Sequence, residues 1–424
     1  MNVTLSQSQL QGSLAVVSSK SLSHRALIAA GLAQGISTIH NLLDCDDLTA
    51  TKNALKALGV RIEKKTIYGG TRRVKNSTID AKESGSTLRF MIPIALLLDK
   101  PITFMGRKRL VKRPLDVYQD IFKTKVKYQP LSKNSLPLKV QGPLQSDHFT
   151  IPGNVSSQFI SGLLFALPLL NGDSVLNLST PLESKGYVDL TLDTLKSFGI
   201  DIKVKDNCFM IPGKQTYKPQ DVTIEGDFSQ AAFFMVAALL NGDVKLKNLN
   251  PNSKQGDKAI VDIIKKMGGD ISYDDAQAWY HIKASKTKGT DIDLAQIPDL
   301  GPILMILAAL SKGVTTFTSI DRLRIKESDR AASMIDILTT LGVKTTLNKD
   351  TLTIQGTKQF QGHHTFKSYD DHRIVMALSI AALKADGPIT IKQADAINKS
   401  YPKFFDDYQT LGGIIQKDTM RKDV

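Results

Sequence analysis

The amino-acid sequence predicts an α/β protein of two domains, each built from three similar repeats. Three observations lead to this prediction. A chain of 424 residues is too long for one ordinary hydrophobic core, so two domains are expected. An apolar, alanine-rich helical stretch recurs six times, and a strand follows each one. A second, amphipathic helix comes next and ends in Leu-Gly or a related pair before another strand begins.

The ends of the predicted helices define the repeat. The apolar helices end within segments 29–35, 95–100, 166–172, 237–242, 308–313 and 381–387. The second helices end at Leu58-Gly59, Phe122-Lys123, Phe198-Gly199, Met267-Gly268, Leu341-Gly342 and Leu411-Gly412. Glycine supplies the left-handed residue that ends a helix. The last four glycines are 69, 74 and 70 residues apart, so six such units account for nearly the whole chain. A domain boundary is therefore expected near 224–227.

Composition limits the class of protein. Hydrophobic residues make up 42% of the chain, and no apolar run approaches the roughly 20 residues that a membrane helix needs. The N-terminus lacks the features of a signal peptide. Cys45 and Cys208 provide neither a disulfide framework nor a metal cluster, so we expect a reducing cytoplasm. The net charge of +14 favours anionic partners, whereas 6% aromatic residues are few for stacking on nucleic-acid bases.

The most informative stretch is 324–330, Arg-Ile-Lys-Glu-Ser-Asp-Arg, which lies between an alternating strand and an amphipathic helix. A helix that begins near Glu327 would offer free N–H groups to an anion and place Lys326 and Arg330 on one face. Glu327 is the one acidic side chain of this stretch that we expect within reach of those cations. The pattern indicates an anion site with a proton-transfer group. A simple capping box, with Ser328 or Asp329 as the cap, is the alternative.

Several other polar motifs stand at the predicted start of a repeat helix. Residues 18–25, Ser-Ser-Lys-Ser-Leu-Ser-His-Arg, separate a strand from a helix as in many phosphate-binding turns, although serine capping with solvated cations is equally simple. Gly85, in Glu-Ser-Gly-Ser-Thr-Leu-Arg, allows close approach of a ligand. Ser156, Ser157 and Gln158 offer neutral hydrogen-bonding groups. Segments 183–187 and 368–373 are further polar helix starts.

Three more residues stand out singly. Arg113 precedes Pro114 and should be extended. Asp299 immediately precedes an apolar helix, where a carboxylate is either an N-cap or a general base. Lys399 lies in a loop, where a lysine is usually exposed to solvent.

Nine short motifs follow one another in a definite order along the chain. The strings are S-K-S-L-S-H-R-A, S-G-S-T-L-R, K-R-P, S-S-Q-F, I-E-G-D-F-S-Q-A, I-P-D, R-I-K-E-S-D-R, D-D-H-R and N-K-S-Y-P-K-F. Over essentially the full chain, they resemble the 5-enolpyruvylshikimate-3-phosphate synthase family of enolpyruvyl transferases. The resemblance implies an inside-out α/β barrel fold with six βαβαββ repeats, three per domain. It also implies domains of residues 19–225 and of 1–18 plus 226–424, with the substrate cleft between them.

The resemblance further implies site residues. Contacts to shikimate-3-phosphate would be made by Lys20, Ser21, Arg25, Ser156, Ser157, Gln158, Ser184, Tyr187, Asp299 and Lys326. Contacts to phosphoenolpyruvate would be made by Lys20, Gly85, Arg113, Gln158, Arg330, Arg373 and Lys399. Two positions depart from the pattern of some members, which have Asn in place of Glu83 and of Arg322. Glu83 would bring negative charge to an anion site and is not expected to be a ligand; Arg322 either adds a cation or faces solvent.

The implied reaction is the sixth step of the shikimate pathway, which leads to chorismate and the aromatic amino acids. The 5-hydroxyl of shikimate-3-phosphate adds to C2 of phosphoenolpyruvate, C3 takes a proton, and the adduct then loses phosphate. Asp299 would accept the hydroxyl proton and Glu327 would deliver the proton to C3, with Lys20 a rival for either task. No metal or organic cofactor is needed. We expect a monomer without nucleic-acid or membrane partners.

Two alternatives are weighed against this one. The related transferase that acts on UDP-N-acetylglucosamine usually has a reactive cysteine in the loop that corresponds to 107–113, and this chain has none between Cys45 and Cys208. RNA phosphate cyclases share related repeats, and the +14 charge would suit RNA. The chain has few aromatic residues and no contiguous basic stripe, which argues against an RNA-binding protein.

Overall fold

The computed structural model describes residues 1–71 and 73–418, and these form two compact units. The continuous unit consists of Ser18–Glu225. The split unit combines Met1–Val17 with the described residues from Gly226 onward. The chain therefore passes from one unit to the other twice, at 17–18 and at 225–226.

Each repeat contributes two α-helices. In chain order they are α1 (Lys20–Leu32), α2 (Asp46–Ala57), α3 (Gly85–Ala95), α4 (Asp116–Phe122), α5 (Ser157–Ala166), α6 (Lys185–Ser197), α7 (Phe228–Asn241), α8 (Ala259–Lys266), α9 (Gly301–Ala309), α10 (Arg330–Thr340), α11 (His372–Ala381) and α12 (Phe404–Thr410). The odd-numbered helices are the predicted apolar ones, and the even-numbered helices are the amphipathic ones. Three short 3₁₀ helices lie at or near residues that were predicted from the sequence to bind substrate. They are Pro298–Leu300, Ile320–Leu323 and Ala394–Lys399.

The strands are short. Those up to residue 225 are β1 (Asn2–Ser6), β2 (Leu10–Ala15), β3 (Ile36–His40), β4 (Arg61–Glu63), β5 (Thr66–Tyr68), β6 (Thr78–Asp80), β7 (Ile102–Met105), β8 (Lys127–Pro130), β9 (Leu138–Gln141), β10 (His148–Ile151), β11 (Ser174–Leu178), β12 (Lys203–Lys205), β13 (Cys208–Ile211) and β14 (Asp221–Thr223). The remainder are β15 (Gly242–Lys247), β16 (Asp270–Asp274), β17 (Trp279–Lys283), β18 (Asp291–Asp293), β19 (Val314–Thr318), β20 (Thr345–Asn348), β21 (Thr351–Gln355), β22 (His364–Lys367), β23 (Ile389–Lys392) and β24 (Ile414–Asp418).

The described strands form six four-stranded sheets, one for each repeat. In the second repeat the order is β6-β7-β9-β8, where β6 and β7 are parallel and the other neighbours are antiparallel. The third and fifth repeats have the same order. Because α3 joins β6 to β7 and α4 joins β7 to β8, the chain order is βαβαββ. This confirms the repeat that the sequence resemblance implied.

In three repeats, one strand of the sheet comes from a distant part of the chain. β14 lies parallel to β3 in the sheet of the first repeat, although β2 is the strand that directly precedes α1. β2 instead lies parallel to β15 in the fourth repeat. In the sixth repeat β1 is a central strand, where Val3 pairs with Ile391 of β23 and with Lys417 of β24. The first 15 residues thus complete two sheets of the split unit.

The apolar helices lie inside each unit and the sheets lie outside. Every residue of α9 and of α11 is buried, as expected for helices that are apolar all round. Strands such as β21 alternate between buried and more exposed residues, so one face packs on the helices and the other faces water. Among the described residues, no helix combines the length and apolar character required to cross a membrane.

The predicted glycine exits are confirmed at five of the second helices. Gly59, Gly199, Gly268, Gly342 and Gly412 all have φ between +81° and +99°. Residues with a side chain rarely adopt this conformation. Glycine therefore ends each of these helices shortly before the next strand begins. α4 is the exception in sequence and in structure, since Lys123 follows it with a φ of −53°.

Candidate functional site

In the split unit, the segment between β19 and α10 carries the charged motif. α10 begins at Arg330, three residues later than predicted, because the Asp329 side chain accepts a hydrogen bond from the Ala332 N–H at 3.0 Å and caps the helix. The prediction that Lys326 and Arg330 share a helical face is therefore wrong. The two cations nevertheless point to the same oxygen, because both lie close to Asp299 Oδ1.

Arg330 lies at the centre of a buried network of carboxylates. Its Nη1 is 3.0 Å from Asp299 Oδ1, and its Nη2 donates to Glu327 Oε2 at 2.7 Å. Its Nε and Nη2 donate to the two oxygens of Asp371 at 2.8 and 3.2 Å. Only 1% of the Arg330 side chain is exposed. Such a charge is stable in the interior only when it is paired and hydrogen-bonded, as it is here.

Asp299 is the second focus of the network. Lys326 Nζ lies 3.2 Å from its Oδ1, and Arg373 Nη2 lies 3.3 Å from its Oδ2. Burial alone would raise the pKa of this carboxyl, but Arg373, Lys326 and Arg330 together hold it well below its usual range. The cap position of α9 is Leu300, so the alternative of Asp299 as the N-cap of that helix is wrong.

The other predicted cations of this unit are withdrawn from solvent. Lys399, at the end of the 3₁₀ helix Ala394–Lys399, is 8% exposed rather than solvated. Burial lowers the pKa of Lys326, an effect opposed by Asp299 and reinforced by the neighbouring charges of Arg330 and Arg322. Arg322 is half-buried and acts electrostatically on Lys326, so it adds a cation near Lys326.

Two carboxylates of the split unit were not predicted. Asp371 is fully buried, caps α11 by accepting from the Arg373 N–H at 2.9 Å, and also accepts from the Ser328 hydroxyl at 3.0 Å. Asp257 accepts a hydrogen bond from the Ser229 hydroxyl, and burial, followed by the charge of Asp299, raises its pKa to about 6. The signal for Asp371 was its position beside His372 and Arg373; nothing local in the sequence distinguished Asp257.

In the continuous unit, α1 presents the predicted basic residues. Ser19 caps the helix by accepting a hydrogen bond from the Leu22 N–H at 3.4 Å, as the alternative of serine capping predicted. The cations are not solvated, however. Lys20 Nζ donates to Asp47 Oδ2 at 2.9 Å, and Arg25 is 3% exposed. Asp47 is a further residue that the sequence did not single out.

Arg25 joins α1 to the predicted residues of α6. Its guanidinium donates to the Ser21 carbonyl at 2.8 Å, to the Tyr187 carbonyl at 2.7 Å and to the Thr191 hydroxyl at 2.8 Å. Burial lowers its pKa to about 10. Ser184, the residue before α6, is buried with φ of +54° and ψ of 42°, a conformation that is uncommon for a non-glycine residue and is concentrated at functional sites.

A second group in the continuous unit surrounds Gln158. Arg89 Nη1 donates to Gln158 Oε1 at 2.8 Å, and Gln158 Nε2 donates to the Ser86 hydroxyl at 3.0 Å. A Cβ on Gly85 would lie 2.8 Å from Arg113 Nη1, so the absence of a side chain leaves room for that guanidinium. Arg113 is extended, with φ of −69° and ψ of 133°, as the following Pro114 predicted.

The remaining predicted residues of this unit lie at the start of α5. Ser156 is its N-cap and accepts from the Gln158 N–H at 3.3 Å, and Ser157 is the first helical residue. Glu83, the departure from the family pattern, lies 3.2 Å from Lys108 Nζ, which offsets its charge. The structure thus gathers the predicted residues into groups within each unit: Lys20 with Asp47, Arg25 with α6, Gln158 with Gly85 and Arg113, and the residues around Asp299.

Comparison with known proteins gives one consistent result. The family model described as EPSP synthase (3-phosphoshikimate 1-carboxyvinyltransferase) matches residues 5–408. A 3-phosphoshikimate 1-carboxyvinyltransferase of Clostridium novyi is 46% identical, over 99% of this chain and 100% of its own. One of Clostridium acetobutylicum is 44% identical, over 96% of each chain.

Solved structures agree. An EPSP synthase from Acinetobacter baumannii matches with a TM-score of 0.82 and 26% identity, over 99% of this chain and 100% of its own. The enolpyruvyl transferase NikO from Streptomyces tendae, at 15% identity and a TM-score of 0.78 over 99% of both chains, shares the fold. The predicted two-domain enolpyruvyl transferase-like fold is confirmed, and the UDP-N-acetylglucosamine and RNA-related alternatives are not favoured. The chain belongs to the EPSP synthase family of carboxyvinyl transferases.

Proposed function

We propose that the groups described above carry out the reaction of this family on the substrates that the sequence resemblance implied. The carboxyvinyl group of phosphoenolpyruvate is transferred to the 5-hydroxyl of shikimate-3-phosphate, and phosphate is released. The observation that carries the assignment of residues is the convergence of Lys326, Arg330 and Arg373 on the single carboxylate of Asp299.

The predicted residues form two sets, one for each anionic substrate, and both sets contain cations. Lys20, Ser21, Arg25, Ser156, Ser157, Gln158, Ser184, Tyr187, Asp299 and Lys326 are assigned to shikimate-3-phosphate. Lys20, Gly85, Arg113, Gln158, Arg330, Arg373 and Lys399 are assigned to phosphoenolpyruvate. Arginine matches carboxylate and phosphate oxygens through paired hydrogen bonds, and lysine contributes a point charge. Both sets include residues of both units.

Asp299 and Glu327 have distinct proposed tasks. The depressed pKa of Asp299 keeps it ionised, so it is always able to accept a hydrogen bond from the attacking 5-hydroxyl. As that hydroxyl adds to C2 of phosphoenolpyruvate, its proton passes to Asp299 and Glu327 gives a proton to C3. Glu327 takes a proton back from C3 as the adduct loses phosphate. Lys20, paired with Asp47, is the alternative proton carrier for either step.

The reaction is tested by measuring phosphate release. The purified chain should release phosphate when shikimate-3-phosphate and phosphoenolpyruvate are both present. Release with one substrate alone, or no release with both, would refute the proposed activity.

Replacement of Lys326 tests the assignment of residues. Lys326→Ala removes one charge-assisted contact, worth about 1.5–3 kcal/mol, so we expect shikimate-3-phosphate to bind roughly 10- to 100-fold more weakly. Titration calorimetry measures the affinity. Lys344→Ala, at an exposed lysine of the same unit, is the matched control and should bind as the unaltered chain does. Unchanged affinity in Lys326→Ala would show that this residue does not bind shikimate-3-phosphate. It would not refute the proposed activity.

We also propose that the chain acts as a cytoplasmic monomer without a nucleic-acid partner. Both cysteines, Cys45 and Cys208, are free thiols, which suits a reducing compartment. An electrophoretic mobility assay with RNA at physiological salt should give no shift, because purely non-specific attraction by the basic surface weakens as salt rises.

A further inference from the structure

The split unit contains a basic cavity that the proposed reaction does not use. Its volume is about 980 Å³. Five lysines line it, and no aspartate or glutamate is among the described lining residues. We call this cavity the basic hollow and define it by Lys286, Lys288, Lys312, Lys358 and Lys384.

The basic hollow lies at the opposite end of the core helices from Asp299. Leu239 and Leu240 at the exit of α7, and Leu310 at the exit of α9, form part of its wall. Asp299 lies before the first residue of α9, and Asp371 lies before the first residue of α11. Because an α-helix rises 1.5 Å per residue, the nine residues of α9 put roughly 14 Å between the hollow and the Asp299 network. The hollow is therefore a separate feature.

The side chains of these five lysines form no ion pair within the described part of the chain. None of the five ammonium groups lies within 4 Å of a carboxylate of residues 1–71 or 73–418. Lys286, Lys288, Lys312 and Lys358 are exposed, and Lys384 is half-buried. Five like charges around one concave surface repel one another, so a multivalent anion would relieve that repulsion.

Lysines at helix exits often serve to neutralise the helix dipole or to bond free carbonyls. Here backbone amides already bond those carbonyls. The Ala309 carbonyl accepts from the Thr357 N–H at 2.8 Å, and the Leu239 carbonyl accepts from the Ser285 N–H at 3.1 Å. The two helix ends carry about −0.5 charge each, which leaves most of the charge of five lysines uncompensated.

We propose that the basic hollow binds a small oligophosphate anion, either free or as the phosphate chain of a nucleotide. The volume lies within the range of small-molecule sites, and a run of phosphates carries enough negative charge to oppose several lysines at once. Thr287 and Ser311, whose hydroxyls are 2.7 Å apart, add a polar floor. This inference does not rest on the proposed carboxyvinyl transfer.

Lysine acylation of the full chain, mapped by peptide mass, tests where the anion binds. With saturating tripolyphosphate in 0.15 M salt, we expect the five lysines of the hollow to react at least fivefold more slowly. Lys203, Lys205 and Lys349, which are exposed and do not line the hollow, should react at unchanged rates. ATP should give the same protection. Equal slowing at all lysines, protection at low salt only, or protection by ATP alone would overturn the proposal.

A triple variant tests whether the charge of the hollow is responsible. Lys286→Gln/Lys312→Gln/Lys358→Gln should weaken tripolyphosphate binding at the hollow at least tenfold, measured by loss of protection at Lys288 and Lys384. Lys203→Gln/Lys205→Gln/Lys349→Gln changes net charge equally and should leave that protection within twofold of the unaltered chain. Equal losses in the two variants would assign the attraction to net charge and would refute a site.

Discussion

At the scale of single residues, Arg330 and Asp371 form an ion pair in which both side chains are almost completely buried. In the sequence, Arg25, Lys326, Arg330 and Arg373 stood out because they lie in polar motifs at the predicted starts of helices. Asp47, Asp257 and Asp371 did not, because a carboxylate near a helix start is usually a cap and its partners come from distant segments. The pairing of Arg330 with Asp371 could not be predicted, since 41 residues separate them.

Removal of the Arg330 guanidinium should destabilise the split unit strongly. Arg330→Met leaves Asp371, which has no exposed side-chain surface, as a buried charge without its main partner. We expect a loss of about 3–5 kcal/mol in the free energy of unfolding. Urea denaturation followed by circular dichroism measures it. Arg324→Met removes an exposed ion pair with Asp321 and should cost at most about 1 kcal/mol. Similar losses in the two variants would contradict the proposed importance of the buried network.

Asp257 should make stability depend on pH. Its pKa is about 6 in the folded chain, against 3.8 for the free group, so the folded state binds more protons between these values. Its stabilising contribution is therefore complete below about pH 4 and is lost as pH rises through about 6. Asp257→Asn retains an acceptor for Ser229 but cannot ionise.

The advantage of Asp257→Asn over the unaltered chain should grow between pH 4 and 7, by at most about 3 kcal/mol. Urea unfolding at several pH values measures this difference. Asp262→Asn, on the exposed face of α8, should show no such trend. A constant difference between Asp257→Asn and the unaltered chain would show that Asp257 titrates normally.

At the scale of helices and strands, the ends of helices were more predictable than their starts. Few residues other than glycine adopt a positive φ, so a glycine after an amphipathic stretch predicts the end of the helix. Five of the six predicted second-helix exits contain such a glycine. At the start of α10, Ser328 and Asp329 both compete as caps. Asp329 prevails in the structure, because its side chain reaches the Ala332 N–H. The sequence pattern alone could not choose among them.

The cap of α10 should be worth a measurable amount of stability. Asp329→Ala removes the acceptor for the Ala332 N–H, and we expect a loss of about 1 kcal/mol. Thermal or urea unfolding measures it. Asp262→Ala, which removes an exposed carboxylate within α8, should change stability by less than about 0.5 kcal/mol. A loss in Asp329→Ala no larger than in this control would mean that the cap contributes little.

At the scale of the whole molecule, the sixfold repeat was visible in the sequence, but the exchange of strands was not. β1, β2 and β14 have the same alternating character as strands that pair with their neighbours. Their partners are set by contacts across more than 180 residues, for which a local pattern carries no information. Only the resemblance to a family indicated that the first residues belong with the second half of the chain.

The two units should differ in their ability to fold alone. Fragment 18–225 contains every strand of its three sheets and has neighbouring ends, since the Ser19 N–H donates to the Glu225 carbonyl. We expect it to unfold cooperatively in urea. Fragment 226–424 lacks β1 and β2 and should not, because its fourth and sixth sheets lose an edge and a central strand.

Restoring the missing strands provides the control. Residues 1–17 joined to 226–424 by a short linker should recover cooperative unfolding, because the Asp227 N–H already donates to the Val17 carbonyl. Cooperative folding of 226–424 alone, or no recovery in the joined fragment, would contradict the role assigned to the two strands.

The central position of β1 also sets an order of events during synthesis. Asn2–Ser6 is synthesised well before its two partners, β23 and β24, which belong to the sixth repeat. The continuous unit can assemble while translation proceeds, since all of its strands are available once residue 225 has emerged. β1 must meanwhile stay unpaired and accessible until β23 and β24 have emerged, so we expect a chaperone to protect this segment during synthesis.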